Sequence, residues 1–363
     1  MITRSDERIT TSQTGVIIIN FILAAGILSF PRVISERMGT PDGWISILLS
    51  GGLAMVEGII IVKLSQRFPQ KTFFEYSQEI VGRWVGIFAS ILVIGYFLVL
   101  SAFEIRMMAE VTNFFLLEGT PSWAVIMPLM WVALYLMLGG IQPIARLFEL
   151  ILPITALVFL IAIFLGFHIF DIDRLRPVLG LGLWPVFEGM KESALYFLGS
   201  EVMLFLVAFM QKPDKGVKAV VSGVAFTVVF YLITFVIVIG ALSLEGTEAR
   251  TWPTVDVLRS FELQGLFFER FESLLLVIWI MQIFSTYTTA HYGAALGLAQ
   301  LFKKDISPFA YGLLPIIFIV AMAPKSVNDV FSIGDFIGNF GLWYFGLFPL
   351  LCLIAAKWRG RGK

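Results

Sequence analysis

Long apolar stretches alternate with short polar separators over the whole chain, at about 14–36, 44–64, 84–115, 122–139, 143–168, 184–210, 217–243, 273–301, 308–323 and 333–356. A helix rises about 1.5 Å per residue, so some 20 residues cross a hydrocarbon core of about 30 Å. The pattern predicts ten transmembrane helices. The separators carry turn chemistry, as in Gly39-Thr40-Pro41-Asp42-Gly43, Gly119-Thr120-Pro121 and Lys212-Pro213-Asp214. The separator 244–272 holds Trp252-Pro253-Thr254 and an apolar stretch from Leu263 to Phe268. It predicts a short helix lying across the outer face.

Composition agrees. The 363 residues are 58% hydrophobic and 14% charged, against about 45–50% and 25% in soluble domains. This is an integral membrane protein. A formal net charge of zero suggests no nucleic-acid partner. The single Cys352 forms no internal disulfide, and His168 and His291 are the only histidines. No P-loop, HExxH or GxSxG pattern is present, so neither enzymatic chemistry nor a cofactor or metal is expected. The first thirteen residues are polar and the next apolar run is too long for a cleaved signal, so the first helix is expected to be retained. With the N-terminus inside, the inner separators and termini hold 16 Lys and Arg and the outer ones 8. Cytoplasmic loops are the richer in these residues, which places both termini on the cytoplasmic side.

Two of the segments are interrupted. Segment one has Gly26 near its middle and Pro31 five residues later. Gly weakens a helix, and Pro removes a donor and crowds the preceding turn. Close helix packing in membranes is the commoner reason for one such pair. Segment six repeats the device in Tyr196-Phe197-Leu198-Gly199-Ser200-Glu201. Five segments separate the two, and five is odd, so the second set enters from the opposite side. That is the arithmetic of a 5+5 inverted repeat, about 14–168 and 184–356 within one domain, with helices 1 and 6 discontinuous.

Interrupted helices expose peptide groups that lipid cannot satisfy and a buried polar ligand can. A half-helix N-terminus attracts a carboxylate; a C-terminal half-end and nearby oxygens attract an ammonium. A zwitterion such as an amino acid suits such a site. Ala25, Gly26 and Ile27 are candidates at the first break, and Leu198, Gly199, Ser200 and Glu201 at the second. Leu198 reads equally as core. Glu201 reads either as an ammonium partner or as a hydrogen-bonded structural carboxyl. Tyr96 and Glu104 are eight apart and share a helix face; Arg106 and Glu110 are spaced to pair with each other. In Ser285-Thr286-Tyr287-Thr288-Thr289, the candidates Thr286, Tyr287 and Thr288 compete with the habit of such side chains to bond their own helix. Phe340, four after Phe336, would close a pocket or simply pack. Glu57 lies deep in segment two, and Lys191 with Glu192 would guard an entrance or be solvated. Gly199→Ala is expected to weaken ligand response without preventing insertion.

The overall plan resembles the amino acid–polyamine–organocation superfamily, with its LeuT-like fold. More closely, the chain is similar to the B subunits of GerA-type spore germination receptors. The resemblance is carried by Gly26-Ile27-Leu28 with Pro31, Asp42-Gly43-Trp44-Ile45-Ser46, Arg67-Phe68-Pro69 with Thr72 and Glu75-Tyr76, and IVGRWVG from Ile80. Ala145-Arg146 with Glu149 and Pro153, Gly199-Ser200-Glu201, and FERFESLLLVIW from Phe268 complete it. It implies an all-α membrane fold in the inner membrane of a bacterial spore, with A and C receptor subunits as partners. It also implies that a small germinant, often an amino acid, is sensed. In related transporters the region of Thr286 supplies hydroxyls beside the first break, in some cases for sodium. An amino-acid permease working alone, coupled to protons or sodium, and a gated pore for water or ions are the competing functions.

Overall fold

The computed structural model describes residues 8–259, 271–360 and 362. It is almost wholly helical, and the helices follow the hydropathy pattern closely. In chain order they are α1 (Thr11–Ile22), α2 (Phe30–Met38), α3 (Gly43–Gln66), α4 (Phe73–Val81) and α5 (Arg83–Phe115). Then come α6 (Ser122–Leu138), α7 (Ile141–Gly166), α8 (Trp184–Leu195), α9 (Met203–Phe209) and α10 (Gly216–Leu242). The last are α11 (Leu244–Glu248), α12 (Pro253–Arg259), α13 (Phe271–Phe302), α14 (Ile306–Met322) and α15 (Val327–Trp358). Each of the ten apolar segments coincides with one helix or with a broken pair. The broken pairs are α1 with α2 and α8 with α9, each interrupted by a short 3-10 turn, Ala25–Leu28 and Ser200–Val202. The α8–α9 pair bends by 41° at its break.

The helix starts have local causes. Thr10 and Gln13 cap α1 reciprocally, as do Ser326 and Asp329 for α15, so backbone donors with no partner within the helix are satisfied by side chains. Gly39 ends α2 in the left-handed conformation, φ +60°. Prolines 128, 153, 315 and 349 lie inside helices, a placement that membrane bundles accommodate.

Two sequence expectations change. The separator between segments two and three holds a helix, α4, whose signal was the box Thr72-x-x-Glu75. The outer separator 244–272 carries two short helices, α11 and α12, where one was expected; its stretch Leu263 to Phe268 lies outside the described residues.

The inverted repeat is visible in the packing. Segment one packs on segment six through α2 and α8, two on seven through α3 and α10, three on eight through α5 and α13, and four on nine through α6 and α14. Four of the five segments of one half therefore meet their counterparts in the other, as helices near a two-fold axis would. Large apolar side chains such as Phe88, Trp131, Tyr135 and Trp343 are exposed on the outside of the bundle, where hydrocarbon is their natural surrounding.

At one end of the bundle Ile9 forms a parallel bridge with Met210. The Ile9 amide donates to Phe209 at 2.9 Å and the Gln211 amide donates to Ile9 at 2.9 Å. The start of α1 is thus tied to the end of α9. At the other end the Thr254 hydroxyl donates to the Ile27 carbonyl at 2.9 Å, and Trp252 packs on Phe331 with ring centroids 5.7 Å apart. The outer separator is thereby pinned onto the first break.

Candidate functional site

The first break leaves carbonyl oxygens at the end of α1 and in the turn that follows without helical donors, and hydroxyls from three distant elements supply them. Tyr231 of α10 donates to Ile22 at 2.8 Å. Thr286 of α13 lies 3.0 Å from the Phe21 carbonyl and 3.2 Å from that of Asn20. Thr254 holds Ile27. The Tyr231 ring also joins the breaks, edge-on to Phe30 just after the first (4.8 Å) and to Phe197 within the second (5.1 Å).

The second break is built in the opposite sense. Gly199 adopts φ +153° and ψ −17°, a region that side-chain-bearing residues rarely enter. A Cβ at Gly199 would lie 2.2 Å from Ile22 Cγ1, so the two breaks touch at that glycine. The amide donor here is met by an acid: Gly199 N–H donates to Glu201 Oε2 at 2.5 Å, and the Tyr96 hydroxyl donates to Glu201 Oε1 at 2.7 Å. The neighbouring Ser200 hydroxyl donates to Glu57 of α3 at 3.3 Å. Glu201 is wholly buried. Its two oxygens are engaged by the protein, which is the structural alternative of its two readings.

Between the breaks lies a cavity of about 120 Å³. An engineered cavity of roughly 150 Å³ takes benzene, so the space suits a ligand of a few heavy atoms. Gly26, Ser29, Thr286, Tyr231, Tyr96 and Glu104 are among the groups that line it, and the wall is otherwise mostly apolar. Its lining holds three carboxylates, Glu104, Glu192 and Asp335, and no Lys, Arg or His among the described residues. Glu104 is buried; Glu192 is half-buried and Asp335 exposed, which puts the mouth between α8 and the start of α15.

Of the residues singled out from the sequence, Gly26, Tyr96, Glu104, Glu192, Leu198 and Thr286 line this cavity. The others lie elsewhere. The side chain of Ala25 is outside the described residues. Ile27 is fully buried, and its carbonyl is turned to Thr254. Gly199, Ser200 and Glu201 sit behind the wall in the network just described. Tyr287 turns to His291 at 3.3 Å, and His291 in turn meets the Ala310 carbonyl at 3.1 Å. The Thr288 hydroxyl donates to Phe284 of its own helix at 2.7 Å. Phe340 stacks on Tyr96 from behind, centroids 6.1 Å apart, while Phe336 is exposed. Glu192 is at the mouth, but Lys191 is exposed and off the lining. Arg106 and Glu110 pair at 2.7 Å as their spacing suggested.

Sequence reading missed Tyr231, Ser29 and Phe103, and on α15 Phe331, Gly334, Ile337 and Gly338, all lining residues. A tyrosine inside the apolar run of α10 carries no signal of its own. The glycines of α15 were visible by spacing, but no break marked them.

Comparison with known proteins places the chain. A family model described as "Spore germination protein" matches residues 8–330. The chain is 54% identical over 357 residues to spore germination protein YndE of Bacillus subtilis, covering 98% of each. It is 37% identical to spore germination protein A2 of the same organism over 97% of each, and 33% identical to protein B2 over 92% of each. Among solved structures, MhsT in complex with L-phenylalanine superposes with a TM-score of 0.74 at 10% identity, over 96% of this chain and 89% of that one. Mhp1, a nucleobase-cation symporter in a closed conformation, gives 0.73 at 12%, over 97% and 79%. At such identities the likeness is one of fold, the LeuT type, in which two of this chain's apolar segments are interrupted.

Proposed function

Because the chain belongs to the spore germination protein family, we propose that it is the germinant-sensing membrane subunit of a spore germination receptor. Its ligand is a small amino acid, held in the cavity between the two interrupted helices. The observation that carries this reading is the cavity itself. It is small, bounded by both breaks, and lined by three acidic side chains, Glu104, Glu192 and Asp335. An ammonium group fits that field. The superposition on a transporter solved with L-phenylalanine supports an amino-acid ligand in this fold.

Sensing follows from two-state physics. A ligand that bridges the halves favours one arrangement of α1–α2 against α8–α9, and its differential affinity for that arrangement sets the shift. Partner subunits of the A and C kind read the change at the surface. The membrane is the spore's inner membrane, with both termini on the core side, as the charge asymmetry suggests.

The test uses the purified full chain in lipid nanodiscs. Binding of labelled amino acids is measured by scintillation proximity, and uptake is measured in proteoliposomes. Saturable binding of at least one amino acid without accumulation is the expected result. Binding of none would overturn the ligand class. Robust accumulation by the isolated chain would make it a permease. Copurification with two further subunits from spores supports the receptor assembly.

A further inference from the structure

The cavity has polar groups at the first break and on α5, and on α15 an apolar stretch, Gly334, Ile337 and Gly338, with Asp335 at the mouth. Gly26, Ser29, Thr286 and Glu104 are the groups a zwitterion's ammonium and carboxylate would meet. Opposite them α15 presents two glycines to the cavity, Gly334 and Gly338. Their surroundings are tight. A Cβ at Gly338 would lie 3.3 Å from Leu195 Cβ, and one at Gly334 would lie 2.8 Å from the Phe103 ring. Leu195 and Phe103 are themselves lining residues. One turn on, a Cβ at Gly341 would lie 2.8 Å from Leu198 Cδ1. A methyl group on this face therefore either enters the cavity or pushes a wall residue into it.

We infer that Gly334 and Gly338 set the upper size limit of the ligand's side chain. This rests on the amino-acid reading of the cavity and deepens it: the head group is held at the first break, and the side chain lies against α15. In a space of about 120 Å³ a single methyl matters, since one methylene more or less in an apolar pocket changes selectivity by about 10–200-fold.

Gly338→Ala is the informative variant. Its nearest contact is 3.3 Å and it needs only a few tenths of an ångström of give. Gly346→Ala on the same helix, with nothing within 4 Å of its Cβ, controls for the backbone effect of alanine. Leu195→Ala opens the same corner from the other side. Each full-length variant is tested in nanodiscs against glycine, alanine, valine, leucine and phenylalanine, after its monodispersity is checked by size-exclusion chromatography.

For Gly338→Ala we expect affinity for the largest amino acid that wild type binds to fall by about tenfold or more relative to the smallest. Leu195→Ala extends binding by at least one larger member of the series, and Gly346→Ala leaves the ranking unchanged. If Gly338→Ala lowers all affinities in parallel, or none, while wild type still binds, the inference fails and the amino-acid reading stands. If Gly338→Ala does not fold, Leu195→Ala decides: an unchanged upper limit overturns the inference. If wild type binds no member of the series, the amino-acid reading itself falls, and this inference with it.

Discussion

The two breaks begin from the same sequence device, a glycine in the middle of an apolar span, and end as different constructions. The first exposes the carbonyl end of α1. Hydroxyl donors satisfy it, from Tyr231 and Thr286, while Thr254 holds the Ile27 carbonyl in the turn that follows, each from a different element. The second exposes peptide N–H groups ahead of α9, and a carboxylate satisfies its glycine, Glu201 taking the Gly199 amide. The partner chemistry follows the polarity of the helix ends: oxygen acceptors need donors, and amide donors need an acid. The first break faces the cavity and is held from afar. The second offers Leu198 to the cavity, but its glycine amide is met locally by Glu201, which Tyr96 holds from behind. A ligand can compete with the distant hydroxyls more readily than with an acid two residues away from the amide it caps.

Substitution of the two glycines gives the sharpest test of this contrast. Gly199→Ala is expected to cost most. It forces alanine to φ +153° and drives a methyl to 2.2 Å from Ile22. Unfavourable backbone conformation and overpacking cost about 1–3 kcal/mol each. Loss of monodisperse protein, or a large drop in melting temperature, is the expected outcome. This replaces the expectation, drawn from the sequence, of a folded protein with weakened response. Gly26→Ala lacks the backbone penalty and meets the Tyr196 ring at 2.6 Å; it should lose ligand response and cost less folded yield than Gly199→Ala. If Gly26→Ala proves the more damaging to folding, the division of roles between the breaks is reversed.

Glu201→Gln comes next. The amide of Gln keeps one acceptor where two donors need one each, so a buried polar group loses its partner, at about 1–3 kcal/mol. A thermal melt of the purified chain measures it, and an unchanged melting temperature would show that the second break does not depend on its acid. Tyr231→Phe should cost about 1–2 kcal/mol by orphaning the Ile22 carbonyl, and ligand binding should weaken with it, because the Tyr231 ring and hydroxyl touch both breaks. The smallest effects separate two neighbouring hydroxyls. Thr286→Val is expected to destabilise by about 1 kcal/mol, whereas Thr288→Val, whose hydroxyl serves only its own helix, should stay within about 0.5 kcal/mol. Equal effects would mean that the hydroxyl reaching across to α1 has no special part.

The same contrast explains what was legible in the sequence. Hydropathy marks spans because lipid demands apolar length, and a glycine in a span marks a break, so the ten segments and both interruptions could be read from residue order. What satisfies a break could not. Tyr231 and Thr254 lie hundreds of residues from the carbonyls they hold, and nothing in an apolar run distinguishes a donor tyrosine from a packing one. Glu201 was visible as a carboxyl at depth. Its role turned on the direction of the Gly199 amide, which only a backbone dihedral reveals. Tyr96 and Glu104 were found because a two-turn spacing is a local property. The α15 wall was not, since it is assembled by the pairing of distant helices. The helix α4 was missed because hydropathy was followed where a capping signal, Thr72 with Glu75, should have been weighed.

The bridge between Ile9 and Met210 has a mechanical consequence. It lashes together the free ends of the two half-helices that flank the interruptions on that side of the bundle. A rotation of one is passed to the other as torque through two peptide hydrogen bonds, with no long side chain to absorb the slack. The pair therefore behaves as one lever with a crossbar at its base. Proline at Ile9 would remove the bond to Phe209 and keep the one from Gln211, loosening the crossbar by half.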